Sequence, residues 1–203
     1  DGKQPASVWL RGENMAEVSA FLGAEDGAIV SGKTVEDWFN KAVAPSGAGL
    51  GNAPRKDSVP GFDLTFCAPK SVSLLWGMGV DSAVRGIVDE AHQAAVSQAL
   101  DYLSEHASYT RKQVKEPTGK RLIVEKLAGI SGVKYEHRTS RAGDPHVHSH
   151  VLLANKQLCR DGKVRTLDGV SLYHEARAAG MVYQATVREI CLLYTSDAAD
   201  DTP

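Results

Sequence analysis

The segment Asp144-Pro-His-Val-His-Ser-His-Val-Leu-Leu-Ala154 restricts the fold more than any other part of the chain. His146, His148 and His150 occupy alternate positions and run straight into an apolar stretch. In an extended strand alternate side chains share one face, so three imidazoles stand in a row on one side of a sheet. Neutral imidazole is a common ligand for divalent metals, and the pattern predicts a metal centre built on that sheet. The plainer alternative is the exposed polar edge of a hairpin. A metal also wants a ligand from a neighbouring strand. His137, in Tyr135-Glu-His-Arg-Thr-Ser-Arg141, lies on the preceding β-like segment and can pair across the intervening turn, unless it is an ordinary surface histidine. Asp63 is the other group to notice. It sits in Gly61-Phe-Asp-Leu-Thr-Phe66, where Phe62, Leu64 and Phe66 alternate with Asp63 and Thr65. A carboxylate on an inner strand is costly unless paired. The free ring nitrogen of a metal-bound histidine would pair it, as would a helix cap or a salt bridge.

The remaining pattern predicts helices early and strands late, an α+β layer with a largely antiparallel sheet. Thr34 is expected to cap a short helix through Ala44, and Pro45 with the Gly-rich run to Pro54 forms a loop. Pro69 opens a short apolar helix through Trp76. Asp81 is expected to cap a long amphipathic helix with the stripe Val84, Ile87, Val88, Ala91, Ala94, Ala95 and Leu103. Strand-like segments follow near 108–115, 121–128, 131–138 and 145–155, with a turn at Pro117-Thr-Gly119. Asp161-Gly162 signals a hairpin, and Ser171 is expected to start a final helix.

A chain of 203 residues with 42% hydrophobic and 24% charged residues can bury one core. It has no apolar run long enough to span a bilayer and no secretory signal. Cys67, Cys159 and Cys191 lack paired spacing, which suits a reducing cytoplasm. The chain opens on Asp1 rather than Met, which reads as a start inside a longer protein. The stretch from Cys191 to Asp200 reads as a translated sequencing adapter, encoded codon for codon by TGT CTC TTA TAC ACA TCT GAC GCT GCC GAC. Residues 191–203 are therefore set apart from the domain at 1–190. Charge is uneven: residues 1–110 hold 8 Lys and Arg against 14 Asp and Glu, whereas 111–141 hold 9 against 3. A basic band beside the histidines would suit a phosphate backbone, and a solvated hairpin face would look the same.

One motif competes with the histidines. Gly27-Ala-Ile-Val-Ser-Gly-Lys-Thr34 matches the phosphate-loop pattern literally. Such a loop must follow a buried strand, yet Ala24-Glu-Asp26 precedes it and its interior is unusually apolar. Asp89, the nearest candidate for a magnesium carboxylate, falls inside the long helical pattern.

Taken in order, Asp63-Leu-Thr-Phe-Cys-Ala-Pro-Lys-Ser-Val-Ser-Leu74, Glu136-His-Arg-Thr-Ser-Arg141 and Asp144-Pro-His-Val-His-Ser-His150 resemble the motifs of the MobF-class, TrwC-type conjugative relaxase domain. The resemblance covers most of residues 5–190. It implies the palm of the two-histidine (HUH) endonucleases, an antiparallel sheet with packed helices. It implies a divalent ion (Mg, Mn or Zn) held by His137, His148 and His150, with His146 outside the set and Asp63 orienting the cluster and assisting deprotonation. The implied reaction is site- and strand-specific nicking of DNA at a plasmid origin of transfer, through a tyrosine nucleophile. Lys70, Arg138 and Arg141, beside the motifs, become candidate phosphate contacts. The implied setting is the bacterial cytoplasm, with accessory proteins at the origin and a helicase domain further along the protein. The nucleophilic tyrosines of that class lie ahead of the region equivalent to Trp9-Leu-Arg-Gly12, so this chain is expected to lack them. A rolling-circle replication initiator shares the palm but places its tyrosine downstream, which would point to Tyr173 or Tyr183.

Overall fold

A computed structural model of the chain describes residues 5–78, 82–117 and 119–200. The first half holds β1 (Ala6–Arg11), α1 (Met15–Leu22), β2 (Ile29–Val30), α2 (Gly32–Lys41), β3 (Gly61–Cys67), α3 (Lys70–Gly77) and α4 (Ser82–His106). The second half holds β4 (Tyr109–Glu116), β5 (Gly119–Lys126), β6 (Ile130–Thr139), β7 (Pro145–Ala154), β8 (Lys156–Leu158), β9 (Val164–Thr166) and α5 (Gly169–Asp200). Five strands make one sheet in the order β2-β1-β6-β7-β3, and every neighbouring pair is antiparallel. β4–β5 and β8–β9 form two separate hairpins. The expected α+β class with an antiparallel sheet is what forms.

The expected order, helices first and strands late, does not hold. β1 lies inside the sheet, between β2 and β6. Ala6, Val8, Trp9 and Leu10 are all buried, so the segment shows no alternation for a period-two reading to find. Helices cover both faces. Trp9, Val151 and Leu153 pack with α4 and α5, while Val8, Leu10 and Val133 pack with α1 and α2. Val147 meets α3 and α4 through Val72, Trp76 and Val88. The layer of α1 and α2 lies on the same side of the sheet as Tyr135 and Leu152.

Two helix starts differ from expectation by a few residues. Ser31, not Thr34, caps α2: its hydroxyl accepts the Thr34 N–H at 3.1 Å, and Thr34 lies in the first turn. α5 starts at Gly169 rather than Ser171, with Asp168 as its cap: the Asp168 carboxylate accepts from Val170 N–H at 3.2 Å and from the Ser171 hydroxyl at 2.6 Å. In both cases a polar side chain three residues upstream competed with the assigned one. Asp81 and Thr118 lie outside the described residues. On α4 the buried stripe is Val88, Ala91, Ala95, Val96, Ala99, Leu100 and Leu103, and it includes one polar residue, His92.

Candidate metal centre and DNA cleft

β7 carries His146, His148 and His150 on the face away from α4 and α5, with Val147, Ser149 and Val151 turned inward and buried. Its register against β6 sets His148 opposite His137 and His150 opposite Tyr135. Its register against β3 sets His150 opposite Thr65. Paired residues share a face, so His137, His148, His150 and Thr65 meet on one side of the sheet.

The three ring centres stand 5.0 Å (His137–His148), 5.5 Å (His137–His150) and 5.4 Å (His148–His150) apart. An imidazole nitrogen binds such an ion at about 2.1 Å, so ring centres around a tetrahedral ion stand roughly 5.2 Å apart. The triangle therefore has the right size. Its orientation is not yet closed: the planes of His137 and His148 differ by only 17°, and among the described residues no three His, Cys, Asp or Glu side chains converge at ligand distance. A shared ion needs one of the two rings to turn about χ2, a soft torsion for histidine.

Hydrogen bonds choose the tautomers. His148 Nδ1 donates to the His146 carbonyl at 2.8 Å, and a carbonyl can only accept. His150 Nδ1 stands 3.0 Å and 3.2 Å from the Asp63 carboxylate oxygens, and 3.2 Å from Thr65 Oγ1. Each ring thereby keeps its Nε2 lone pair free, the second-sphere arrangement expected of a metal-ligating histidine. Burial, then the neighbouring His150 and Arg138, holds His137 below the ordinary imidazole pKa. Burial also lowers His148, helped by His146, His137 and His150 against the His146 carbonyl bond. Both rings thus favour the neutral form that binds metal.

The histidines open onto a cleft of about 1630 Å³. Its other walls carry Tyr135, Arg141 and the start of α2 with Ser31 and Lys33. Of the three candidate phosphate contacts, only Arg141 lines this cleft. Lys70 donates to the Pro145 carbonyl at 3.0 Å. Arg138 turns to the opposite face of β6, with Nε 2.7 Å from Asp89 on α4 and Nη2 3.2 Å from Glu136.

Gly27–Thr34 does not form a phosphate loop. Ile29 and Val30 pair with Ser7 and Ala6 as β2, which leaves no open cradle between strand and helix. Tyr183 is 1% exposed and its hydroxyl sits 2.7 Å from His92 Nδ1, with burial pushing its pKa up. Tyr173 is exposed but packs edge-on to Phe62, which pairs with Leu153, five residues from His148 along β7. Neither tyrosine borders the histidines. Sequence reasoning missed Thr65, Tyr135 and the buried pair His92–Ser149 as site residues, and offered Lys33 only through the phosphate-loop pattern. The one local signal was Ser149, a polar residue at an inward position between Val147 and Val151.

The antiparallel sheet thus presents His137, His148 and His150 on one face, with Asp63 behind one ring and an open cleft in front. The chain belongs to the TrwC relaxase family, whose description matches residues 1–192. It is 31% identical over 189 residues to the multifunctional conjugation protein TraI of Escherichia coli. That alignment covers 87% of this chain and 10% of TraI, so the chain spans about a tenth of the length of the curated relatives it matches. Among solved structures it is similar to the conjugative relaxase TrwC in complex with OriT DNA. The copper-bound form matches with TM-score 0.74 and 25% identity over 94% of this chain and 60% of that one. The metal-bound form matches with TM-score 0.72 and 26% identity over 96% and 63%.

Proposed function

We propose that residues 1–190 are the DNA-handling part of a conjugative relaxase, acting on one strand at an origin of transfer. The observation that carries this reading is the ring triangle of 5.0–5.5 Å set against the cleft that holds Lys33 and Arg141. His137, His148 and His150 would hold a divalent ion; three nitrogen donors favour Zn over Mg within the set Mg, Mn and Zn. When bound, the ion would draw charge from a non-bridging phosphate oxygen and fix the phosphorus for in-line attack. Asp63 keeps the His150 proton on Nδ1 and so keeps Nε2 aimed outward. Arg141 and Lys33 bind backbone phosphates along the cleft. The attacking hydroxyl belongs to a tyrosine ahead of β1. Its oxygen bonds to phosphorus as the bond to the 3′ oxygen breaks, giving a 5′-phosphotyrosine and a 3′ hydroxyl that takes the proton. TrwC structures whose names include OriT DNA and bound metal support this. Action in the bacterial cytoplasm, with accessory proteins and a helicase portion as in a multifunctional TraI, belongs to the same proposal. No helix among the described residues is long and apolar enough to cross a membrane.

Single-stranded oligonucleotides tiling the DNA around the gene, titrated with and without Mn²⁺, test it. One tile is expected to bind tightest, with Mn²⁺ strengthening it and His148→Ala removing the metal effect. The chain alone is expected to form no covalent adduct. Uniform binding that ignores Mn²⁺ would overturn the reading. An adduct lost in Tyr135→Phe would move the nucleophile to the tyrosine that lines the cleft.

A further inference from the structure

Behind His148 and His150, the two proposed ligands on β7, lies a buried polar chain that the proposed reaction does not use. Ser149, between His148 and His150, turns to the opposite face of the sheet, and its hydroxyl lies 2.8 Å from His92 Nε2 on α4. His92 Nδ1 lies 2.7 Å from the Tyr183 hydroxyl on α5. Ser149, His92 and Tyr183 are each 1% exposed, and the rings of His92 and Tyr183 meet edge to face. Two residues earlier, the Val147 N–H donates to Ser73 Oγ on α3 at 3.1 Å, also buried. Successive inward positions of β7 are therefore held by polar bonds, beside the buried apolar side chains of Val147 and Val151. An apolar trio would fill this space without the desolvation cost of three polar groups. What apolar packing does not supply is direction. A hydrogen bond to a strand residue fixes its rotation and its position along the strand, whereas apolar contacts tolerate small slides. A slide or twist at Ser149 is passed at once to the two flanking imidazoles.

We propose that His92 is a positioning residue: held by Tyr183, it fixes Ser149 from behind and so sets the spacing and aim of His148 and His150 on the far face. This rests on the reading of His137, His148 and His150 as a metal centre. One ring nitrogen of His92 donates and the other accepts, which suits a neutral imidazole between two hydroxyls. Burial keeps the ring neutral, with its pKa lowered to about 4. The chain reaches from α5 through α4 to β7, three elements far apart in sequence, and ends one residue from each of two proposed ligands.

The test is a Co²⁺ titration of the 203-residue chain, read by the visible absorption of the bound ion, beside thermal melting without metal. Ser149→Ala and His92→Leu are expected to weaken Co²⁺ binding about tenfold and to alter the absorption spectrum. Ser149→Thr, which keeps the hydroxyl, is expected to retain wild-type affinity and spectrum. The double variant Ser149→Ala with His92→Leu is expected to bind no more weakly than either single one, since both cut one connection. Tyr183→Phe, which leaves the Ser149 contact, is expected to have the smaller effect. If the variants melt lower but bind Co²⁺ with wild-type affinity and spectrum, the chain is packing only and the inference fails alone. If Ser149→Thr loses as much as Ser149→Ala, it fails as well. A wild-type protein that binds no Co²⁺ removes the metal reading and this inference together.

Discussion

Asp63 touches the proposed centre only through His150, so its carboxylate acts on the metal by deciding which ring nitrogen carries the proton. Asp63→Asn keeps the shape but can present its amide N–H₂ to Nδ1, which would invert the tautomer and point a proton at the ion. Mn²⁺ affinity by calorimetry is expected to fall about 10–100-fold; an unchanged affinity would show that Asp63 is incidental. His92 yields a separate prediction, for stability. Its folded pKa of about 4 lies below the ordinary imidazole value of 6.5, mainly through burial. Arg138, Lys134 and His148 add to the lowering and Glu136 opposes it. The unfolded chain then takes up a proton where the native chain does not, so stability is complete above 6.5 and is lost as pH falls towards 4. The contribution is on the order of 3 kcal/mol. In urea denaturation between about pH 7 and about pH 4, His92→Gln should lose stability less steeply than wild type; parallel curves would refute it. The residues legible in the sequence were those whose signal is local, such as the alternate histidines and the polar Asp63 on an apolar strand. His92 and Ser149 lie 57 positions apart, and no local pattern connects them.

Between elements, the junction of β1, β6 and β7 decides whether His137 can face His148. Gly132 on β6 pairs with Trp9 on β1 and with Leu153 on β7, and all three share a face. Trp9 Nε1 reaches past Gly132 to the Leu152 carbonyl at 3.3 Å, tying β1 to β7 across the strand between them. A methyl group at Gly132 would lie 1.8 Å from that carbonyl oxygen, a backbone atom that cannot swing away. Gly132→Ala is therefore expected to push β6 from β7 and to cost about 3 kcal/mol or more, read as a lowered melting temperature. It should also weaken Mn²⁺ binding, because the displaced strands carry the ligands. Wild-type melting would mean that the strands close by some other route. The sequence announced β4, β5, β6 and β7 through alternation and Gly-containing turns, and the hairpin at Asp161-Gly162 through its dipeptide. It was silent on β1, which is buried on both faces, and on the reason for a glycine in the middle of β6. That glycine answers to an indole 123 positions away in the chain.

For the whole molecule, the basic band expected beside the histidines divides in two. The β4–β5 hairpin joins the sheet at the Ile130 end of β6, and His137 lies seven residues further along, roughly 23 Å of strand. Arg141 and Lys33 line the cleft, while all six cations of residues 111–126 belong to the hairpin. Several of those are matched to acids: Arg111 with Asp168 at 3.0 Å, Arg121 with Glu116 at 2.9 Å, Lys126 with Glu13 at 2.7 Å and Lys112 with Glu125. Lys115 and Lys120 instead face each other directly across the ladder, both exposed, near its far end. Like charges set opposite one another are unfavourable in water and become favourable when an anion lies between them. The whole chain carries a net charge of −2, so attraction to DNA has to come from such local fields and not from the total. Replacing both lysines by alanine is therefore expected to weaken single-stranded DNA binding. It should also reduce the slope of log affinity against log salt by about 1.4, two phosphate contacts at roughly 0.7 each. Mn²⁺ affinity should stay at its wild-type value, and combining the pair with His148→Ala should give additive losses in DNA binding, because the two regions are too far apart to couple directly. An unchanged salt slope would show that the lysines face only water. Loss of Mn²⁺ binding in the lysine variant would show that hairpin and histidines form one site rather than two.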